Sequence, residues 1–411
     1  MRQSTIRSAK VFVVALPVLL SFGLAAAGAA EIGLVVQPTA GGSDVPVSAS
    51  IKLPTELASL PAEQIRAELR PKGGGRAVPG QVVLAADGSA QLWWVLPAVQ
   101  AGQKQQWTAA LSKGMPAGKD VYGWKDTPGK HLDLLFAGRP VTRYMYEYDP
   151  SGKRRFTTAK CFHHVFNEDG TDTITNGAGG QYPHHRGIFI GFSRLAYDGG
   201  KKRSDWWHVR SVAQVHQKLL AKAAGPVVGS STTLIHWNDP AVKPVVIEER
   251  QTVVFRQPQP TIVLLDFRSR LKPARGDIRL DGDPEHAGMQ FRPHNDVDRK
   301  VTKYLFHKEE ITSGNVKRQK DLPWAAETFV LRGKTYSAQH MNHPKNPKGT
   351  VYSAYRDYGR FGAFFKKDVK EGETLEVCYR IWAATGKMPP REQLQARWEA
   401  FANPPKVELT R

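Results

Sequence analysis

The sequence has few cysteines and lacks several of the motifs by which enzymes are identified. Only Cys161 and Cys378 occur in 411 residues, which excludes a dense disulfide scaffold and any paired Cys-x-x-Cys motif. The two could form a single disulfide in an oxidising compartment or remain buried thiols. There is no glycine-rich nucleotide loop, no Gly-x-Ser-x-Gly elbow and no internal repeat, so none of these patterns assigns a function.

Long apolar runs are absent after the first 30 residues. The N-terminal segment has basic residues at Arg2, Arg7 and Lys10, then an apolar stretch over 11–24, then small residues over 25–30. This order is typical of a cleaved signal peptide at residues 1–30. The shortness of the apolar stretch and its Pro17 favour cleavage over a retained membrane anchor. We therefore predict a periplasmic or secreted protein without membrane insertion after signal cleavage.

Acidic residues are in deficit. The chain has 58 Lys and Arg against 38 Asp and Glu, a formal charge of +20. Such a charge favours polyanionic partners, and for an exported protein acidic polysaccharide or cell-wall polymer comes before nucleic acid. A generally basic proteome is the alternative explanation. We predict a glycan or polysaccharide partner and no nucleic acid, and the oligomeric state is left open.

The pattern of strand-forming segments and turns in the remaining chain predicts an all-β protein. Residues 31–118 contain short strands between turns, which favours a small immunoglobulin-like β-domain. Residues 119–411 are rich in β-branched and aromatic segments, which favours a large antiparallel β-sandwich. One helix is predicted near the C-terminal end of the sequence, where Pro390 precedes apolar residues at helical spacing up to Phe401. A single helical turn is expected after Pro61.

Histidine is absent before His131, and five of the thirteen histidines fall between positions 163 and 208. The doublet His184-His185 follows a glycine-rich loop and Pro183, and Arg186 follows the doublet. Histidine titrates near neutral pH and is the commonest metal ligand, and arginine offers a planar fork to a carboxylate. If the doublet is extended, its two rings point to opposite faces. We predict a catalytic site here, with structural histidines as the alternative.

Two further segments carry candidate residues. In Asp205-Trp-Trp-His208, a strand would place Trp206 and Trp207 on opposite faces, one as a platform for a sugar ring, although core packing of both is the plainer alternative. His208 and His216 would share a face. The pair Glu248-Glu249 is expected to turn one carboxylate inward, as an acid or base or as an ion-pair partner.

The segment 281–296 is the second strong signal. It contains the candidate site residues Glu285, His286, Arg292, His294 and Asp296. These types can bind a divalent metal or carry out acid–base chemistry. No spacing matches a compact zinc signature, so a metal is possible and the cofactor is left undetermined.

The run Gln181-Tyr-Pro-His-His-Arg-Gly-Ile-Phe-Ile-Gly191, followed by Asp205-Trp-Trp-His208, resembles a family of secreted bacterial proteins labelled methane oxygenase PmoA-like. Similar segments occur over 285–292, 341–347 and 355–359, so that the resemblance covers roughly residues 125–390. It implies a large β-sandwich and, by analogy, a role near glycan metabolism. It does not imply methane oxidation. The membrane subunit of that name has several transmembrane helices, whereas this chain has no long apolar run after its first 30 residues. Family members often carry Asp-Thr-Lys-Glu-Gly-Gly where this chain has Asp-Pro-Glu-His-Ala-Gly, so a lysine role does not carry over.

Together these observations predict an exported carbohydrate-active enzyme, a lyase or a hydrolase. The predicted catalytic residues are His184, His185, Arg186, His208 and His286, and the predicted substrate-binding residues are Trp206, Trp207, Arg292, His294 and Asp172. A lyase would use a histidine or tyrosine as base, whereas a hydrolase would use two carboxylates from Asp172, Glu248 and Glu285. The alternatives are a non-catalytic glycan-binding or cell-surface β-sandwich and a metal-dependent oxidase.

Overall fold

The computed structural model describes residues 29–85, 88–116, 118–152 and 154–410. The predicted signal peptide lies almost entirely outside these residues. Strands make up 51% of the structure and helices 6%, which confirms the all-β prediction. No helix among the described residues is long and apolar enough to cross a membrane.

Twenty-seven strands are present in the described part of the chain. The first thirteen are β1 (Ala30–Gln37), β2 (Gly42–Ile51), β3 (Ile65–Pro71), β4 (Val78–Leu84), β5 (Ala90–Val99), β6 (Gln105–Lys113), β7 (Tyr122–Thr127), β8 (His131–Phe136), β9 (Arg139–Met145), β10 (Phe162–Val165), β11 (Ile188–Phe192), β12 (Leu195–Tyr197) and β13 (Lys202–Ser204). The others are β14 (Ala213–Ala224), β15 (Val228–Asn238), β16 (Pro244–Phe255), β17 (Thr261–Pro273), β18 (Ile278–Leu280), β19 (Ala287–Phe291), β20 (Lys303–Phe306), β21 (Trp324–Leu331), β22 (Lys334–Asn342), β23 (Val351–Ala354), β24 (Phe361–Phe364), β25 (Lys367–Val369), β26 (Leu375–Thr385) and β27 (Lys406–Thr410).

Helices are short and few. The α-helices are α1 (Arg154–Thr158) and α2 (Arg391–Ala402), and single 3₁₀ turns occur at Ala62–Gln64 and Val316–Arg318. The helix predicted after Pro390 and the helical turn predicted after Pro61 are both confirmed. Because proline lacks a backbone N–H and has a fixed φ, it is well suited to the position before the first turn of α2.

The strands form one seven-stranded, two eight-stranded and one four-stranded antiparallel sheet. The first has the order β2-β5-β4-β3-β6-β1-β27, and the last β13-β12-β18-β25. The inner sheet has the order β23-β24-β19-β11-β10-β9-β8-β7, and the outer sheet β14-β15-β16-β17-β26-β22-β21-β20. Because β27 pairs with β1, the strands before residue 118 share their sheet with a strand that follows α2.

The inner and outer sheets pack face to face as the expected large sandwich. Met289 on β19 contacts His340 on β22 across the interface, with 3.1 Å between Sδ and Nε2. Met289 is paired with Ile190 on β11, so the neighbouring Phe189 points to the opposite face of the inner sheet. Trp207 packs on Phe189 with ring centroids 4.8 Å apart. The loop that carries Trp207 therefore covers the side of the inner sheet away from the sandwich core.

The buried side-chain amide of Gln81 links the seven-stranded sheet to the sandwich. Gln81 on β4 accepts hydrogen bonds from the backbone N–H groups of Val227 and Val228, at 2.9 and 2.8 Å, and donates to the Val228 carbonyl. Apolar residues of β5 also alternate. Trp94 lies in the core of the seven-stranded sheet, whereas Trp93 packs against Phe255 of the outer sheet. Strand β5 therefore contributes to two cores.

The two cysteines are free. The Cys161 thiol is buried and donates to the Gln214 carbonyl, whereas Cys378 lies half-buried on β26. The disulfide that the sequence left open is therefore not formed in this structure.

Candidate active site

Four histidines from three loops meet on the outside of the inner sheet. His184 and His185 precede β11, His208 follows β13, and His286 precedes β19. The ring centroids of His184 and His208 are 4.3 Å apart, those of His208 and His286 are 5.0 Å apart, and those of His184 and His185 are 4.2 Å apart. The two histidine-rich segments, whose meeting the sequence could not establish, come together in this structure.

The local conformations of these loops differ from the strands expected from sequence. His184 lies in a turn, and its ring contacts that of His185, so the doublet is not extended across two faces. Residues 206–208 also form a turn, and β14 begins only at Ala213, so His208 and His216 do not share a strand. His286 and His294 lie on either side of the five-residue strand β19. The even sequence spacings of His208 and His216, and of His286 and His294, therefore did not correctly predict side chains on one face of a strand.

An aspartate three residues earlier fixes each of two rings. Asp205 Oδ2 lies 2.7 Å from His208 Nδ1, and Asp283 Oδ1 lies 2.8 Å from His286 Nδ1. Each carboxylate also accepts backbone N–H bonds of its own turn, from His208 and Glu285 among others. A carboxylate bound at Nδ1 favours the tautomer with a free Nε2 lone pair. The repeated Asp-x-x-His pattern is a sequence signal that our reasoning missed.

A buried lysine joins two of the histidine loops. Lys160 donates to the backbone carbonyls of His184 and Trp207, and its ammonium lies 3.6 Å from the centroid of the Phe189 ring. Burial, followed by the nearby Arg186, lowers the pKa of Lys160 well below its usual value. No residue pattern around Lys160 pointed to this role.

Three of the four rings are half-buried, and His185 is buried. The His208 and His286 side chains are 23% and 22% exposed. Burial lowers the pKa of His184 to about 2, with the His208 ring and Lys160 acting in the same direction. His185 is buried, and both of its ring nitrogens lack a hydrogen-bond partner among the described residues. The cluster therefore offers imidazole nitrogens that have no hydrogen-bond partner among the described residues.

Glu285 is held as an anion next to His286. It accepts hydrogen bonds from Tyr355 and Arg356, and the ammonium of Lys317 lies 3.4 Å from its Oε1. Burial alone would raise the pKa of Glu285, but these bonds outweigh it and lower the pKa to about 2. The buried Arg360 donates to the Glu285 backbone carbonyl and leaves its Nη2 without a hydrogen bond.

Arg186 and Arg292 hold backbone rather than face the site. Arg186 is fully buried and donates to the carbonyls of Pro183, Thr157 and Phe156. Arg292 is equally buried and donates to the carbonyls of Pro293 and Tyr358. Neither guanidinium is accessible to a substrate carboxylate, so their predicted ligand-contacting roles are corrected to loop support. The buried, under-bonded backbone carbonyls of these irregular loops compete successfully for arginine.

Both tryptophans are fully buried, so neither is a sugar platform in this structure. Trp207 lies beneath the cluster, with ring centroids 5.6 Å from His286 and 5.9 Å from His185. Trp206 packs near Trp237 on the other side of its turn. Each large apolar ring buries more surface here than it would in an open cleft.

The remaining predicted residues lie outside the cluster. Asp172 is half-buried and paired with Arg332, and Asp296 contacts both Arg332 and His294. The prediction that one carboxylate of Glu248-Glu249 faces inward is confirmed. Glu248 is fully buried and receives hydrogen bonds from Arg250, Trp237 and Ser269, whereas Glu249 is exposed beside Arg270. Glu248 is therefore a structural ion-pair partner.

Glycine is required where the loops approach the inner sheet. Gly187 has φ of +26°, and a Cβ there would lie 2.1 Å from the His163 carbonyl oxygen. A Cβ at Gly191 would lie 2.8 Å from the Trp206 carbonyl oxygen. Larger residues at these positions would push away the turns that carry His185 and His208.

A cavity of about 890 Å³ lies elsewhere, between the seven-stranded sheet and the sandwich. Its lining includes Trp107, Tyr122, Phe136 and Phe255. It has no histidine in its lining, so the candidate chemistry stays with the cluster.

Comparison with known proteins gives a family without an assigned activity. A family model described as "Family of unknown function (DUF6807)" matches residues 131–399, which include all four clustered histidines. No curated protein matches the chain. The resemblance to PmoA-like proteins stays a prediction.

Two solved structures from Enterococcus faecalis are similar in backbone. One is an alpha-mannosidase, with 10% sequence identity and a TM-score of 0.47, covering 93% of this chain and 46% of that chain. The other is a protein in glycosyl hydrolase family 38, with 9% identity and a TM-score of 0.46, covering 93% and 47%. The chain thus spans about half the length of each.

Proposed function

Because the chain belongs to DUF6807, a family of unknown function, its activity has to be inferred from the site, and we propose an enzyme acting on a glycan at the four-histidine cluster. The observation that carries this proposal is the convergence of His184, His185, His208 and His286 from three loops. Imidazoles in a partly buried site with free ring nitrogens are suited to proton transfer.

The arrangement of carboxylates favours a lyase over a two-carboxylate hydrolase. Glu248 is buried in its ion pair, Asp172 is paired at the surface, and the low pKa of Glu285 makes it a poor proton donor. A lyase base instead takes the proton from the carbon next to a carboxylate, the C–H electron pair forms a double bond to the adjacent carbon, and the glycosidic oxygen on that carbon leaves and takes up a proton from the imidazolium or from water. His208 and His286 are our candidates for this base, because Asp205 and Asp283 would stabilise the imidazolium that forms.

The surroundings of the cluster favour an anionic glycan. Arg194, Arg203, Arg279 and Lys366 line a hollow of about 210 Å³ in which Asp281 is the sole acidic lining residue. The hollow and the cluster lie on adjoining segments, because Ser193, which precedes Arg194, donates its N–H to the His286 carbonyl at 2.9 Å. Together with the charge of +20, these cations would attract a uronate or another acidic polymer.

The non-catalytic glycan-binding alternative has lost the residues on which it depended, because Trp206 and Trp207 are buried. The oxidase alternative requires a redox-active metal. Metal analysis that finds stoichiometric iron or copper in purified protein would favour it over the lyase.

Incubation with neutral and acidic glycans tests the proposal. We expect new absorbance from an unsaturated uronate together with new reducing ends, and a loss of about 10²- to 10⁴-fold in turnover for His208→Gln or His286→Gln. His236→Gln, a half-buried histidine on β15, is the matched control. Reducing ends without absorbance would indicate hydrolysis. Undiminished turnover in both variants would refute the assignment of the site.

We also propose that the protein is exported. The expected observation is a mature N-terminus near residue 31 in protein recovered from outside the cytoplasm. Recovery of the chain with Met1 intact from the cytoplasm would contradict export.

A further inference from the structure

We propose that His184, His208 and His286 bind one divalent transition-metal ion, with zinc as the reference metal. One ring nitrogen of each residue lies within 4.8 Å of the corresponding atoms of the other two. In a tetrahedral site with zinc–nitrogen bonds of about 2.0–2.1 Å, ligand nitrogens lie roughly 3.4 Å apart. Ring rotations that move each nitrogen by about 1 Å would therefore close the site.

The outer contacts of the rings match those of metal-bound histidines. Such ligands donate their second ring nitrogen to a carboxylate, which fixes tautomer and orientation. Asp205 accepts this hydrogen bond from His208 at 2.7 Å, and Asp283 accepts it from His286 at 2.8 Å. His184 has no side-chain hydrogen bond or ion pair among the described residues, and its backbone carbonyl is held by Lys160. Its ring is therefore free to turn towards the ion.

The donor set selects the class of metal. Three imidazole nitrogens without an oxygen ligand suit zinc, cobalt, nickel or copper, whereas magnesium and calcium require oxygen ligands. Three protein ligands also leave a fourth position open to water or substrate. At that position a metal would polarise a substrate oxygen or lower the pKa of a bound water. In the proposed lyase, on which this role rests, the ion would neutralise the uronate carboxylate, and a metal-bound water would take the proton in place of the His208 and His286 rings, whose free nitrogens the ion occupies.

The site is chemically distinct from the neighbouring polar groups. Glu285 is saturated by Tyr355 and Arg356 and faces Arg360, so it is unavailable as a fourth ligand. His185 is buried, with its ring centroid 5.9 Å from that of His286. It packs against the triad without joining it.

Metal binding is measured on the full chain after chelator treatment, by titration with Zn²⁺ and separately with Co²⁺. We expect one equivalent to bind, and the Co²⁺ form to show the intense visible bands of four- or five-coordinate cobalt. His184→Ala, His208→Ala and His286→Ala should each weaken Zn²⁺ binding at least 100-fold, and His236→Ala should not. Circular dichroism and thermal melting check that each variant is folded.

Substitution of the aspartates that bind the His208 and His286 rings distinguishes a specific metal site from adventitious binding. Asp205→Asn and Asp283→Asn should weaken Zn²⁺ binding about 10- to 100-fold. Asp198→Asn, whose carboxylate pairs with Lys202 and Arg275 at the surface, is the matched control and should bind normally. Binding that is unchanged in all three histidine variants, or wild-type protein that binds no equivalent of either metal, would overturn the proposal.

The two proposals can fail separately. Stoichiometric Zn²⁺ binding by a protein that leaves every glycan intact would support the metal site and refute the glycan enzyme. Full turnover by chelator-treated protein that binds no metal would do the reverse.

Discussion

Mild acid should destabilise this protein before its carboxylates are protonated, because two buried histidines, His163 and His340, and the half-buried His164 are held in neutral form. Burial lowers the pKa of His163 well below its ordinary value of 6.5, that of His164 to about 4 and that of His340 to about 3. His340 is fully buried between the sheets, near Tyr352 and Met289. In the unfolded chain each ring regains a pKa of about 6.5.

The sign and size of the effect follow from proton linkage. Below pH 6.5 the unfolded chain binds more protons than the folded one, so stability falls as pH falls and is restored above that value. The loss continues until the folded pKa is reached, at about 4 for His164 and about 3 for His340. At about pH 5.5 each neutral ring costs about 1.4 kcal/mol, and the three together about 4 kcal/mol. That is a large part of the roughly 5–15 kcal/mol that stabilises a typical domain.

Urea unfolding at about pH 7.5 and about pH 5.5, with chelator present, measures this loss. The steepness of the free energy of unfolding against pH gives the number of protons taken up, and these rings are expected to contribute about 1.5 on average between the two pH values. His340→Gln should reduce that number by about 0.5. Tyr352→Phe, which removes a hydrogen-bond partner and keeps the imidazole, should leave it unchanged. Stability that is flat between the two pH values, or equal proton uptake in His340→Gln and wild type, would refute the reasoning.

Further substitutions test individual contacts. Arg250→Met should cost about 3–5 kcal/mol of stability in urea unfolding by stranding the buried Glu248 carboxylate, and adding Glu248→Gln should restore part of it; equal stability of the two variants would contradict this. Gln81→Ala should cost about 2–3 kcal/mol, measured by calorimetry, because two buried N–H groups lose their acceptor; an unchanged melting curve would exclude that contribution. Lys160→Met should weaken Zn²⁺ binding by loosening two loops, and unaltered affinity would show that the loops are held otherwise. His185→Phe should preserve stability, since neither ring nitrogen has a partner, and yet lower turnover; normal turnover would make the ring purely structural.

The all-β class and the helix after Pro390 could be predicted because both depend on local patterns. Alternating apolar residues identify a half-buried strand such as β5, and proline followed by helical spacing identifies α2. The pairing of β1 with β27 could not be predicted, because no local signal relates segments so distant in sequence. The turn at 206–208 was interpreted as a strand because adjacent tryptophans have high strand propensity.

Part of the candidate site could also be predicted, because its histidines are dense in the local sequence. Histidine density identified the loops, and the clustering of His184, His208 and His286 agrees with it. The buried arginines were assigned to ligand contact because their chemistry fits a carboxylate equally well, and only the fold shows that backbone carbonyls already occupy Arg186 and Arg292. Side-chain type indicates what a residue can bind, whereas burial decides what reaches it.

The pairing of β1 with β27 has a consequence for synthesis and quality control. A ribosome releases β1 long before β27 exists, and until then β1 is an edge strand whose apolar residues Leu34 and Val36 have an unpaired backbone beside them. A nascent or prematurely terminated chain that stops before Lys406 therefore exposes an unpaired strand edge, to which other chains can add and aggregate. Holding that edge apart during translation would be a task for a chaperone, and a short peptide with the sequence of β27 would be expected to protect such truncated chains by completing the sheet in trans.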